Sequence, residues 1–170
     1  MKIKFRIAEE CDINTVCDLV ACAVSNMEEQ NIFQWDSLYP TREDFLEDIK
    51  KQELFVGLLD DKIVVIYTLN KECEEEYQNG DWRCVNSEFR VIHRLCVHPQ
   101  YQHMGIARNT LMHIEEQLRK NQVNSIRLDV FGNNLSALRL YTNNGYKKVG
   151  YADWRKGRFY LMEKEIMSIN

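Results

Sequence analysis

The sequence predicts a mixed α/β (α+β) fold, with a central sheet of about seven strands flanked by helices, on three observations. Short alternating or β-branched runs recur from "KIKFRI" at 2–7 to "RFYLMEKEI" at 158–166. Amphipathic stretches of helical period separate several of them. Between residues 90 and 131 a strand, a helix and a strand follow one another, an order that calls for parallel pairing. At 170 residues, 45% hydrophobic and 28% charged, the chain suits one domain spanning 1–170.

Each element has its local reason. Residues 2–7 alternate as a half-buried strand does. Asp12 stands at the N-cap position of a helix whose apolar residues are Ile13, Val16, Val20, Ala23, Val24 and Met27. "NIFQWDSLYP" is aromatic and irregular, and Thr41 then opens a second helix with acids in its first turn. "LFVGLLDDKIVVIYTLNKEC" reads as two strands joined by a tight turn at Asp60-Asp61. Residues 72–88 are acidic and turn-rich, a long surface connection. "FRVIHRLCV" is a strand stopped by Pro99. The helix after Gly105 buries Ala107, Leu111, Ile114 and Leu118. "SIRLDVF" is a strand, "NNLSALRLYTNNGY" a short helix with an asparagine start and a Gly145 stop, and two strands close the chain across "DWRKG".

Bulk properties exclude several functions. A net charge of −4 and a pI near 5.6 offer no basic face for nucleic acid. The six cysteines form no C-x-x-C pair and no histidine stands at ligand spacing, so no metal site is expected. They read as reduced thiols, although their even number leaves disulfides open. No apolar run reaches the roughly 18 residues a membrane span needs. The opening "MKIKFRIAEECD" reads as folded sequence, not a signal peptide, and a soluble cytoplasmic protein is the expectation.

The chemistry concentrates in "HPQYQHMGIAR". A strand ends at Pro99 and a helix begins at Gly105, in a chain with only seven glycines. The first N–H groups of a helix lack internal partners and carry the positive end of its dipole, which suits a phosphate. A glycine there leaves the backbone uncovered. Neither a G-x-x-x-x-G-K-[ST] loop nor a G-x-G-x-x-G fingerprint is present.

Two ordered motifs sharpen this. "QHMGIA" matches Q/R-x-x-G-x-G/A and follows "HRLCVHP", which is similar to an L-x-V-x-P strand. About 25 residues on, "NLSALRLYTNNGY" matches N-x-x-A-x-x-x-Y-x-x-x-G-F/Y through Asn134, Ala137, Tyr141, Gly145 and Tyr146. Together they resemble the signatures of the GNAT superfamily of N-acetyltransferases, and the order of elements fits that fold over nearly the whole chain.

The resemblance implies bound acetyl-CoA as co-substrate and transfer of its acetyl group to a primary amine, small molecule or protein, by direct attack. Its pyrophosphate would lie on backbone from Gln102 through His103, Met104, Gly105, Ile106 and Ala107 to Arg108. The pantetheine would pair with backbone around Leu95 and Val97 and meet Asn134. Tyr141 would protonate the departing thiolate; a phenol near pKa 10 is a fit donor to a thiolate near 8.5. The attacking amine must be neutral, which costs about 4.6 kcal/mol at pH 7 for a lysine-like group. His93 is the nearest candidate base, or equally a satisfied core histidine, and Glu88 is a weaker one. Trp35, Tyr39 and Trp154 either wall an acceptor site or plug the core. A non-catalytic module that senses acyl-CoA is the alternative. A homodimer is left open.

Overall fold

Among the described residues four helices and seven strands form, and these four helices end the same way. In the computed structural model, which describes residues 2–166, β1 (Lys4–Ile7), α1 (Ile13–Glu29), α2 (Arg42–Lys50), β2 (Leu54–Leu59), β3 (Lys62–Asn70), β4 (Phe89–Val97), α3 (Ile106–Lys120), β5 (Ser125–Phe131), α4 (Leu135–Asn143), β6 (Lys147–Trp154) and β7 (Gly157–Glu165) follow in order. The strands make one seven-stranded mixed sheet ordered β1-β2-β3-β4-β5-β7-β6. The predicted order of elements is thus observed. The sheet adds what sequence order conceals, since β7 lies between β5 and β6.

Each helix C-terminus turns through a left-handed residue: Asn31, Gln52, Gln122 and Gly145, with φ of 59°, 59°, 57° and 87°. The next amide then reaches back to a carbonyl of the last turn, Ile32 to Met27, Glu53 to Asp48, Val123 to Leu118 and Tyr146 to Tyr141, at 2.8–3.0 Å. This closure satisfies carbonyls that the helix leaves without partners.

The chain divides into two compact units, one of residues up to Leu69 with Arg94–Thr110, the other of Asn70–His93 with residues from Leu111 onward. In the first, β1 and β3 pair antiparallel with β2. Asp60 and Asp61 both take positive φ, the geometry of a two-residue hairpin turn that matches strand twist. Val16, Leu19 and Val20 of α1 meet Phe45 and Ile49 of α2, Val56, Ile66 and Cys96 in its core.

Asp12 does precede α1, but its carboxylate makes no cap to that helix. It accepts instead from both terminal nitrogens of Arg6 (2.6 and 2.9 Å) and from the Glu9 amide (2.8 Å). The Arg6 hydrogen bonds hold its carboxyl below the usual range. Thr41, by contrast, caps α2 reciprocally with Asp44.

In the second unit, β4 and β5 pair parallel from Phe89↔Ser125 to Val91↔Arg127, and β7 pairs antiparallel with both β5 and β6. The connection at 72–88 is more than surface. Its short helical turn delivers Tyr77, 4% exposed, into a cluster with Val91, Ala152 and Leu161. Arg127 binds it further, with its guanidinium between the rings of Trp82 and Phe89 and one nitrogen donating to the Cys84 carbonyl at 3.0 Å. In α3 the buried apolar position of the first turn is Ile106, 1% exposed, while Ala107 is half-buried; Leu111, Ile114 and Leu118 are buried as expected.

Candidate active site

The β4–α3 loop lies in the first unit. After Val97, the Gln100 amide donates to the His98 ring at 3.2 Å, and Pro99–Tyr101 form a single helical turn. The Gln102 side chain donates back to the Val97 carbonyl at 3.3 Å, tying the loop to the strand it leaves. His103 and Gly105 take φ of 62° and 77°. The Gly105 carbonyl accepts from the Asn109 amide at 3.0 Å, the first bond of α3. Ile106 anchors the helix start against Val64 and Val65, with Leu95, Val97 and Tyr101 packed around them. Met104 and Arg108 are exposed.

Positive φ alone does not account for the glycine. His103, Asn31, Gln52 and Gln122 all adopt left-handed backbone with side chains in place. What distinguishes Gly105 is space, since a Cβ added there would meet nothing within 4 Å. A Cβ there would project into open space at the start of α3. These residues fit a diphosphate. Gly105→Ala is therefore expected to keep the fold and raise the KM for acetyl-CoA about tenfold, the effect of about 1.5 kcal/mol lost from a charge-assisted hydrogen bond. Initial rates against acetyl-CoA concentration, alongside a thermal melt, check it.

Tyr141 and Asn134 lie in the second unit on α4. The Asn134 side chain accepts from the Ala137 amide at 3.1 Å and caps the helix. Tyr141 is 7% exposed and meets the Tyr146 ring edge-on, centroids 5.6 Å apart. The helix closure described above ties the same two residues through backbone. Burial, with the charge of Asp129 added, pushes the Tyr141 hydroxyl well above its ordinary range. It stays protonated at neutral pH, and the same burial makes it a weaker acid than a free phenol.

His93 is half-buried, with Nε2 2.9 Å from the Asn70 side-chain oxygen and 3.2 Å from the Glu72 carbonyl. That asparagine oxygen also accepts from the Glu72 amide, which fixes it as oxygen. Both partners are acceptors, so Nε2 carries the hydrogen and donates. It cannot take a proton there.

Trp35 is 8% exposed in the first unit's core, so it plugs and does not wall. Tyr39 is 40% exposed. Trp154 is half-buried against Phe159, with centroids 5.0 Å apart, and joins the Tyr77 cluster. Cys96 is buried and its thiol is pushed up to about 12, which removes it as a nucleophile at neutral pH.

Two groups stand out that motif matching does not find. Arg94 interrupts β4 with φ of 52°. Its side chain is buried against the Asp48 carboxylate and donates to the Tyr39 hydroxyl at 2.7 Å, while Thr68 donates to the same carboxylate at 2.8 Å. The signal lay in α2, where Asp48 occupies the buried stripe of Phe45 and Ile49. Asp129, half-buried on β5, accepts from the Tyr77 hydroxyl at 2.8 Å. Its sign was an acid inside an otherwise buried strand.

Among the described residues no group of three or more His, Cys, Asp or Glu could hold a metal ion, and no helix is long and apolar enough to cross a membrane.

Comparison with known proteins agrees with this geometry. The family model described as "Acetyltransferase (GNAT) family" matches residues 21–146. A GNAT-family acetyltransferase from Streptococcus agalactiae superposes with a TM-score of 0.84 at 21% identity, over 96% of this chain and 95% of that one. The PaiA N-acetyltransferase of Thermoplasma acidophilum, solved with coenzyme A, gives 0.72 at 20% identity, over 97% and 99%. The ribosomal-protein-S18-alanine N-acetyltransferase of Escherichia coli gives 0.71 at 16%, over 99% and 97%. No curated protein matches at the level of sequence. Fold and motifs define an acetyl-CoA-dependent acyltransferase. The chain belongs to the acetyltransferase (GNAT) family.

Proposed function

We propose that the chain is an N-acetyltransferase that passes the acetyl group of acetyl-CoA to a primary amine by direct attack. The observation that carries this is Tyr141, a buried phenol kept in its protonated form on a capped helix.

Acetyl-CoA supplies an activated acetyl thioester. The amides of Gly105 to Arg108 hold its pyrophosphate, with Gln102 fixing the loop and His103 and Met104 bordering it. Backbone at Leu95 and Val97 in the first unit is offered to the pantetheine amides; in the second, Asn134 caps α4 and is that unit's own candidate contact to acetyl-CoA. As the C–S bond breaks, the sulfur takes the Tyr141 proton. Tyr39, exposed in the first unit, is the aromatic offered to the acceptor, while Trp154 packs on Phe159 within the second.

The test is acetyl-CoA-dependent thiol release over polyamines, amino acids, aminoglycosides and N-terminal peptides. Release that rises with one class of amine, and an N-acetyl product of matching mass, is the expected result. Silence across all four classes, with coenzyme A still bound, overturns the amine assignment.

A further inference from the structure

We infer that Asp129 is the carboxylate that receives the acceptor's ammonium and takes its proton, with Tyr77 as the residue that positions it; the inference rests on the amine reading above. A base is required on general grounds, because a protonated amine has no lone pair with which to attack. His93 does not supply it through Nε2, which donates to two oxygens.

The sheet points to Asp129. On β5 the residues Ser125, Arg127 and Asp129 share a face by alternation. The first two are buried, at 0% and 7% exposure, and Asp129 is the first of the three that solvent reaches. The parallel register sets Val91 beside Arg127. Two residues further along each strand, on that same face, come His93 and Asp129.

Tyr77 is built to hold this carboxylate. Its ring stacks on Trp82 with centroids 5.4 Å apart, and the Trp82 indole donates to the Tyr77 carbonyl at 2.6 Å. The hydroxyl so fixed donates to one oxygen of Asp129 at 2.8 Å. Tyr141 feels the Asp129 charge directly, which makes acid and base an electrostatically coupled pair. Among the described residues, other charged or titratable groups facing this place include Cys73 and Glu74 from the connection, Arg127 from β5 itself and His93 from β4.

The step balances. One ammonium proton passes to an Asp129 oxygen and the freed lone pair forms the N–C bond. The C–S pair leaves on sulfur, which takes the Tyr141 hydroxyl proton. A second proton from the new amide nitrogen restores the phenol, and Asp129 releases its proton to water.

The experiment compares butylamine, a strong base, with trifluoroethylamine, a weak one already neutral at pH 7, by thiol release from pH 4 to 10, a range that reaches the carboxylate limb. Asp129→Asn is expected to lower kcat/KM for butylamine about a hundredfold at pH 7, the usual worth of a positioned base. The deficit should shrink as rising pH strips the amine of its proton, and trifluoroethylamine should be affected less than threefold. A deficit equal for both amines and flat with pH overturns the inference. If that variant no longer binds coenzyme A, Tyr77→Phe decides. Losing the hydroxyl that favours the ionised carboxylate should move the acid limb for butylamine to higher pH and leave trifluoroethylamine unchanged; an unmoved limb overturns the inference. A wild-type protein that acetylates neither amine and none of the four panel classes overturns the amine reading itself.

Discussion

Tyr141→Phe is expected to lower kcat about a hundredfold while the Kd for coenzyme A stays within about twofold, in line with the loss of one general acid. The substitution removes a single hydroxyl. The ring remains to meet Tyr146 edge-on, and the backbone closure between the two residues is untouched. What disappears is the proton for the leaving sulfur. Because the Tyr141 hydroxyl is raised, the donor form persists at every pH below that raised value. The wild type should therefore show no loss of rate from this group between pH 7 and 9, and the deficit of the variant should be level over that range. Rapid-mixing measurement of thiol release with isothermal titration of coenzyme A checks both halves. Unchanged turnover would make Tyr141 a packing residue.

Asp48→Ala is expected to destabilise the protein by about 3 kcal/mol, because removing one partner of a buried pair strands the other charge. The Arg94 guanidinium would be left with the neutral Tyr39 hydroxyl and the faces of the Tyr39 and Phe45 rings. The Thr68 hydroxyl would lose its acceptor as well. For a chain of this size the melting temperature should fall on the order of 10 °C. Joint replacement, Asp48→Leu with Arg94→Met, removes both charges together and should recover most of that loss. Thermal unfolding followed by circular dichroism separates the outcomes, and a double variant no better than Asp48→Ala would locate the cost in packing.

The parts of the molecule legible from sequence are those governed by local rules. Helix periodicity, the helix that follows Thr41, the Asp60-Asp61 turn and the glycine ahead of α3 each depend on a few neighbouring residues, and each lies where local chemistry puts it. Long-range partners behave differently. Asp12 reads as a cap until Arg6, six residues earlier, claims its carboxylate from an adjacent strand. An acidic connection reads as solvated until Tyr77 and Arg127, 50 residues apart, draw it onto the sheet. The insertion of β7 between its neighbours has no local signature at all.

The candidate site divides on the same line. Its loop and tyrosine sit in contiguous motifs that chemistry constrains at fixed spacing. Asp129, Tyr77 and the Arg94–Asp48 pair come from separate segments and announce themselves only as polar residues where an apolar one would serve. Trp35 shows the converse, since an aromatic in an irregular stretch says nothing of which way it faces.

The manner in which the helices end leaves the chain with room to change. Asn31, Gln52 and Gln122 hold a backbone shape that glycine adopts freely and that costs other residues about 1 kcal/mol each. Together the three are a reserve on the order of 3 kcal/mol, about the loss of the buried ion pair. A lineage, or an engineer, can draw on them to offset destabilising substitutions in the acceptor region without altering the chemistry.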